Sequence, residues 1–166
     1  RKKLMIGFKG HENVDLKKFE NYVIPDHAAI SLTGEPCLYP KLHLLIDSFF
    51  DDFNFRTVFL VTNGTVPEML KKFGTESKHF PTNLYMSLEA FDQESYQKFN
   101  NPVDPETWNK VQESMKYLST VKNKTKTILR ITAVKDFNMD KAKEFVKYIN
   151  LIFRKPTIKF EKYLNK

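Results

Sequence analysis

The chain alternates short apolar runs with longer amphipathic stretches, and this alternation constrains the fold more than any other feature of the sequence. The short runs are rich in β-branched and aromatic residues and are bounded by turn residues, which is typical of buried strands. They cover residues 28–32, 57–62, 84–88 and 127–134, and amphipathic helices are predicted over residues 40–53, 67–73, 105–122 and 140–152. Strands and helices in this order predict an α/β fold with a parallel sheet built from βαβ crossovers.

Length and composition narrow the class of protein. The 166 residues fit one domain, and 41% of them are hydrophobic, which is enough to bury a core. No apolar run approaches the ~20 residues that a membrane helix needs, and residues 1–7 lack the features of a signal peptide. We therefore expect a cytoplasmic protein that has no membrane partner.

The sequence contains one cysteine, Cys37. A disulfide framework, a cysteine-rich zinc site and an iron–sulfur cluster held entirely by this chain are therefore excluded. The four histidines lack the spacing of metal ligands, so no metal ligand is predicted in this chain. We expect Cys37 to be a small buried hydrophobe.

The basic charge is concentrated at the two ends of the chain. Residues 141–166 carry eight Lys or Arg and two Glu, and residues 1–20 carry six Lys or Arg and three acidic residues. Such ends could contact the phosphates of a nucleic acid. A solvated lysine-rich surface would explain the same composition.

The residues that follow each predicted strand are candidate site residues, because ligands of parallel sheets bind at the carboxyl ends of the strands. Gly34, Glu35 and Pro36 follow the first strand. The glycine lets the backbone approach a ligand closely, the carboxylate can accept from an ammonium group, and the proline fixes the turn. A Gly-Pro turn with a surface glutamate is the alternative interpretation.

Polar residues also lie at the ends of the other three strands. Asn63 follows the second strand, and Ser87 and Glu89 lie at the end of the third, where the period of two directs both to one side. Arg130 lies between apolar residues of the fourth strand, and a charge in that position needs a partner. Solvated strand ends and a structural acidic partner are the alternatives. Taken together, the polar residues at the four strand ends suit a ligand with an amino-acid group and a ribose.

Four stretches of the sequence resemble one family of enzymes in order and spacing. The longest is residues 27–41, where a Ser-Leu-Thr-Gly-Glu-Pro run precedes Leu-Tyr-Pro, and the others are residues 59–67, 81–87 and 129–139. They resemble the archaeal type of tRNA 4-demethylwyosine synthase, a radical S-adenosylmethionine (SAM) enzyme of the wybutosine pathway. The resemblance covers roughly residues 1–150.

The resemblance implies a partial (βα) radical SAM barrel with a parallel sheet that lacks the first and last strands. It implies a partial radical SAM core over residues 1–152 and a basic C-terminal tail over residues 153–166. Glu35 would bind the amino group of SAM, and Ser87 and Glu89 would lie near its ribose. The full set implied to bind SAM is Gly34, Glu35, Pro36, Asn63, Ser87, Glu89 and Arg130.

The function implied by the resemblance is a carbon–carbon lyase reaction on RNA. Such enzymes condense carbons of pyruvate with N1-methylguanosine in phenylalanine tRNA, using SAM, 4Fe–4S clusters and an electron donor. They hold the SAM-cleaving cluster with a Cys-x-x-x-Cys-x-x-Cys loop, which lies upstream of the segment that matches Arg1. This chain is therefore expected to be inactive alone, and its catalytic residues are not indicated.

Two other interpretations of the sequence compete with this one. A non-catalytic module that lacks the cluster and binds tRNA or a partner would share the same motifs. An unrelated α/β domain would require four stretches to agree by chance, so we set it aside.

Overall fold

A computed structural model describes residue 5, residues 7–135 and residues 137–153. Within these ranges the helices are α1 (Leu16–Val23), α2 (Leu42–Asp51), α3 (Pro67–Thr75), α4 (Gln93–Asn100), α5 (Thr107–Thr120) and α6 (Ala142–Phe153). The strands are β1 (His27–Ile30), β2 (Thr57–Thr62), β3 (Asn83–Ser87) and β4 (Lys126–Arg130). Short 3₁₀ turns cover Phe8–Gly10 and Pro36–Leu38.

The four strands form one open, fully parallel sheet in the order β1-β2-β3-β4. Thr62 pairs with Met86, and Ser87 pairs with Arg130, so neighbouring strands end close to the same level. All four carboxyl ends therefore lie along one edge of the sheet, here called the carboxyl edge. The four amino ends lie along the opposite edge, here called the amino edge. This architecture confirms the predicted α/β fold with a parallel sheet.

The core lies between one face of the sheet and the helices. Side chains of β2 and β3 alternate between fully buried and half-buried positions, as expected when only one face is covered. The buried positions face helices α2, α3, α5 and α6 and include Val58, Leu60, Leu84 and Met86. The half-buried positions make up the other face, here called the open face.

Two strands are shorter than predicted, while β2 has the predicted bounds. Strand β1 ends at Ile30 and not at residue 32, because Leu32 has a φ of 92°, which is incompatible with a strand. Strand β4 ends at Arg130 and not at residue 134. Its neighbour β3 ends at Ser87, so the residues after Arg130 have no strand beside them among the described residues.

Helices α2, α3, α5 and α6 confirm the four predicted helices, with ends that differ by at most two residues. Helices α1 and α4 were not predicted, because neither carries a broad apolar stripe. Helix α1 has no buried residue, and α4 buries only Tyr96. Each begins instead at an aspartate, Asp15 or Asp92, whose carboxylate accepts a backbone N–H of the first turn.

None of the helices in the described part of the chain is long and apolar enough to cross a membrane. Residues 154–166, which make up most of the predicted basic tail, lie outside the described residues. The division into a core and a tail therefore stays a prediction.

Candidate functional site

The residues predicted to bind SAM lie along the carboxyl edge. Glu35 lies in the loop after β1, Asn63 directly follows β2, and Ser87 and Arg130 are the last residues of β3 and β4. The parallel topology therefore brings together four segments that are far apart in sequence. Glu89 follows β3 by two residues and lies at the same edge.

The Glu35 carboxylate connects the loop after β1 to the end of β2. Its Oε1 accepts the backbone N–H of Cys37 at 2.9 Å and the hydroxyl of Thr62 at 2.7 Å. Its Oε2 accepts the backbone N–H of Asn63 at 2.7 Å. A carboxylate has about four acceptor positions, so one position on Oε2 is left for a further donor.

The turn around Glu35 explains the residues on either side of it. Gly34 has a φ of 81°, a left-handed conformation that glycine adopts without steric cost. Pro36 starts the 3₁₀ turn, where its missing N–H leaves no hydrogen bond unmade. The space beside Gly34 is open, because a Cβ placed there would meet no atom within 4 Å. The backbone of Gly34 is thus accessible to a ligand, as the sequence suggested.

The Asn63 side chain is engaged within its own turn. Its Oδ1 accepts both the backbone N–H and the hydroxyl of Thr65, at 3.0 and 2.7 Å. The carboxamide oxygen therefore orders the loop after β2, and the backbone N–H of Asn63 is bound to Glu35. The predicted contact of Asn63 with the cofactor stays a prediction.

Arg130 and Ser87 are brought together across strands β4 and β3. The guanidinium of Arg130 donates to the hydroxyl of Ser87 at 3.1 Å. Arg130 is exposed, so water reaches its charge, and its side-chain partner among the described residues is Ser87, not an Asp or Glu. The physical reason is that β4 ends at Arg130, which leaves the arginine at the rim of the sheet.

Glu89 is half-buried at the carboxyl edge, as are Glu35 and Ser87. Burial raises the pKa of its carboxyl, and the positive charge of Arg130 opposes this shift. The charge of Glu89 in turn helps raise the pKa of Tyr96, whose main cause is burial. Glu89 is thus a half-buried carboxyl close to the Arg130 charge.

Two features, one at this edge and one on the open face, were missed by the sequence analysis. Asn138 is a buried amide whose Oδ1 accepts the backbone N–H of Val134, and whose Nδ2 donates to the carbonyl of Glu89 at 3.2 Å. The rings of Phe59 and Tyr85 stack on the open face with centroids 5.8 Å apart. The stacked pair is diagonal, since Phe59 pairs with Asn83 and Tyr85 with Val61, so only the presence of aromatic residues in neighbouring predicted strands could have indicated it. Asn138 lies in the stretch 129–139 that resembles the family, but no pattern singled it out.

Cys37 is buried, which confirms the sequence prediction. Burial, and secondarily the charge of Glu35, raise the pKa of its thiol well above the ordinary range. The thiol donates to the Thr62 hydroxyl at 3.4 Å. A neutral, enclosed thiol is a poor metal ligand. Among the described residues no cluster of His, Cys, Asp and Glu could hold a metal ion.

The sequence model of the radical SAM superfamily matches residues 14–149, which is most of the chain. The chain therefore belongs to the radical SAM superfamily, whose members use SAM together with a 4Fe–4S cluster. This confirms the family that the strand-end motifs indicated.

The chain is similar to enzymes named S-adenosyl-L-methionine-dependent tRNA 4-demethylwyosine synthase. It is 43% identical to that of Pyrococcus abyssi over 150 residues and 34% identical to that of Methanocaldococcus jannaschii over 154 residues. It is 30% identical to the Mus musculus protein over 144 residues. The matches cover 90%, 92% and 87% of this chain, but 42%, 44% and 19% of the respective relatives. The chain thus spans less than half the length of these relatives.

The residues at the carboxyl edge have the chemistry that SAM requires. Glu35 keeps one acceptor position for an ammonium group, and Arg130 offers an exposed cation for a carboxylate. Ser87 and Glu89 offer a hydroxyl and a carboxylate for the ribose hydroxyls. The described residues therefore suit SAM, whereas they offer no set of ligands for an iron–sulfur cluster.

Proposed function

We propose that the full-length protein is a tRNA 4-demethylwyosine synthase, and that this chain supplies part of its SAM site at the carboxyl edge. The proposed substrates are pyruvate and N1-methylguanosine in phenylalanine tRNA. The proposed reaction belongs to the carbon–carbon lyase class, requires an electron donor and takes place in the cytoplasm without a membrane partner. One observation carries the proposal: a sheet edge with SAM-compatible groups occurs in a chain 43% identical to such a synthase.

Glu35 would position the amino-acid part of SAM. Its carboxylate is held by two backbone N–H groups and one hydroxyl, so its orientation is fixed before the ligand arrives. Fixed acceptors cost less entropy on binding than mobile ones. The remaining position on Oε2 would accept the ammonium group of methionine.

Ser87, Glu89 and Arg130 would hold the polar groups further along the cofactor. The hydrogen bond from Arg130 orients the Ser87 hydroxyl, and the Arg130 charge favours the ionised form of Glu89. An ionised Glu89 accepts hydrogen bonds from ribose hydroxyls better than a protonated one. The stacked rings of Phe59 and Tyr85 make part of the open face apolar.

When bound beside a reduced 4Fe–4S cluster, SAM supplies hydrogen abstraction by a carbon radical. The residues of this chain would bind and orient the cofactor and would not supply the cluster ligands. We therefore expect the chain to be inactive by itself and to take up no cluster on anaerobic reconstitution with iron and sulfide.

The SAM site can be tested with Arg130→Ala in the full-length protein. The Arg130 side chain is exposed and bonds only Ser87 among the described residues, so the fold should persist. We expect SAM to bind at least ~10-fold more weakly, because a charge-assisted hydrogen bond contributes ~1.5–3 kcal/mol. Equilibrium dialysis with labelled SAM measures the loss.

Arg56→Ala is the matched control. Arg56 is also exposed but lies at the amino edge, where it pairs with Asp26. SAM affinity should not change in this variant. Equal affinity in the Arg130 and Arg56 variants would contradict the proposed role of Arg130.

The activity is tested separately with the reconstituted wild-type protein, pyruvate, a reductant and phenylalanine tRNA that carries N1-methylguanosine. Mass spectrometry of the digested tRNA should detect 4-demethylwyosine. Binding of tRNA without bound iron and without product would instead favour the non-catalytic binding module.

A further inference from the structure

An open groove of about 780 Å³ lies at the amino edge, remote from the candidate SAM site. One wall is the segment before β3, residues 77–82, and the other is the turn before β4, residues 122–126. The basic side chains that line the groove are Lys78, His79, Lys122, Lys124 and Lys126. No Asp or Glu lines it within the described part of the chain.

The first wall is fixed by a buried carboxylate. Asp47 of α2 accepts the backbone N–H groups of Lys78 and His79, at 3.1 and 2.9 Å, and the hydroxyl of Ser77 at 2.7 Å. Three bonds from consecutive residues leave this segment little freedom. The basic wall is therefore preorganised.

The second wall is tied to the first by two hydrogen bonds. The hydroxyl of Thr125 donates to the carbonyl of Pro81 at 2.6 Å, and the backbone N–H of Lys126 donates to the carbonyl of Thr82 at 3.1 Å. These bonds fix the distance between the backbones of the two walls, and so the spacing of the lysines on them. A ligand would bind to a groove that already exists.

The positive charge of the groove is only partly compensated. Asp51 pairs with Lys78 and His79. The hydrogen bond from Lys78, and to a smaller extent that from His79, holds the pKa of Asp51 below the usual range. Lys122, Lys124 and Lys126 form no ion pair with another described residue. The excess is thus about three positive charges on one short turn.

Two aromatic rings lie among these charges. The ammonium of Lys124 is 5.6 Å from the centre of the Phe80 ring, and the ring of His79 lies 4.9 Å from that of Phe50. Phe80 and Phe50 both line the groove. A flat ring beside cations can stack on a nucleobase while the cations contact phosphates.

We infer that this groove binds the sugar–phosphate backbone of an RNA strand. The combination of uncompensated lysines and half-buried rings in the lining matches the chemistry of a nucleotide chain, and the groove is open to solvent, so a strand can lie along it. The inference rests on the proposed function, which makes RNA the substrate. The groove would hold RNA outside the reacting nucleotide, because strands of four to six residues, ~13–20 Å long, separate the two edges.

The experiment replaces all three uncompensated lysines in the full-length protein, as Lys122→Gln, Lys124→Gln and Lys126→Gln. Binding of phenylalanine tRNA is measured by fluorescence anisotropy at several salt concentrations. We expect at least ~10-fold weaker binding at 0.15 M salt, and a slope of log K against log salt that is smaller by ~2, since each phosphate contact contributes ~0.7–0.9.

The matched control removes three other lysines, as Lys71→Gln, Lys98→Gln and Lys110→Gln. None of them lines the groove, and the change in net charge is the same. We expect this variant to bind tRNA within about twofold of the wild type. Equal losses in both triple variants would mean that net charge alone matters, and this would overturn the inference.

Two further outcomes separate the inference from its alternatives. If inorganic pyrophosphate or a mononucleotide at micromolar concentration displaces tRNA, the groove is a site for a free phosphate ligand and the inference fails. If the wild-type protein binds tRNA and the groove variant binds it equally well, only the groove is refuted. If the wild-type protein binds no tRNA at all, the proposed function fails as well.

Discussion

The two edges of the sheet use carboxylates in different ways. At the carboxyl edge, Glu35 accepts three hydrogen bonds but is only half-buried and retains one acceptor position. At the amino edge, Asp47 is buried and accepts from three consecutive residues on its Oδ1 and Oδ2. Glu35 can therefore bind a ligand as well as stabilise the fold. Asp47 only stabilises the fold. The proposed ligand-binding groups at the amino edge are lysines.

A hydrogen-bonded carboxylate is therefore not by itself evidence of a binding site. What separates the two residues is access to solvent, because each carboxylate accepts from three donors but Glu35 is half-buried and Asp47 is buried. Both loops are held in place before a ligand arrives, so each edge can be preorganised by its own carboxylate.

Packing should make the carboxyl edge intolerant of substitution at Gly64. This residue has a φ of 75°, and a Cβ there would lie 2.1 Å from Cε of the buried Met86. Strain and overpacking together should lower the free energy of unfolding by about 3 kcal/mol in Gly64→Ala. Urea denaturation of the full-length protein measures the loss.

Gly34→Ala separates strain from overpacking. Gly34 has a similar φ of 81°, but a Cβ at this position would have no atom within 4 Å, so only the strain of about 1 kcal/mol should remain. If the free energy of unfolding falls equally in both variants, the contact with Met86 does not contribute to the loss in Gly64→Ala.

Replacing Asp47 should mainly lower the free energy of unfolding, whereas replacing Glu35 should mainly lower the affinity for SAM. Asp47→Ala leaves the donors of Ser77, Lys78 and His79 without their acceptor and should cost about 2 kcal/mol of unfolding free energy, with SAM affinity unchanged. Glu35→Ala should cost only about 1 kcal/mol, because Glu35 is half-buried and water can take the place of its carboxylate, but should abolish SAM binding.

The exposed Asp52 at the end of α2 provides the control. Asp52→Ala should change the unfolding free energy by less than about 0.5 kcal/mol and leave SAM affinity as it is. Wild-type SAM affinity in Glu35→Ala would contradict the proposed role of Glu35.

The smallest effect concerns pH and Glu89. Because its pKa is raised in the folded protein, this group stabilises the ligand-free fold below its unfolded pKa, and the contribution is lost as pH rises through the folded pKa. SAM affinity should change in the opposite direction, since protonation removes the carboxylate acceptor. We expect a decrease of several-fold, equivalent to about 1 kcal/mol, as pH falls through that pKa.

Glu89→Gln should remove this dependence, because the amide does not titrate. Isothermal titration of SAM into both proteins over the same pH series gives the comparison. If affinity changes with pH to the same extent in wild type and Glu89→Gln, another group is responsible.

Much of the fold could be predicted because the signals are local. The alternation of apolar runs and amphipathic stretches indicated the four strands, the parallel sheet and helices α2, α3, α5 and α6. Helices α1 and α4 were not predicted, because each has only eight residues and buries at most one of them, so its apolar stripe is short and narrow. The ends of β1 and β4 could not be predicted, since a strand ends where its neighbour or its backbone conformation no longer supports pairing.

The sequence by itself determined which residues lie at the strand ends and which family they resemble, because both depend on order and spacing along the chain. Only the tertiary structure decided what those residues contact. In the folded chain Glu35 accepts hydrogen bonds from Thr62 and Asn63 at the end of β2, and Arg130 is exposed at the rim of the sheet. Asn138 is buried and donates to the carbonyl of Glu89. The tertiary structure also joined two distant loops into the basic groove at the amino edge. The physical reason is that hydrogen bonds and burial depend on neighbours in space, which lie tens of residues apart in this chain.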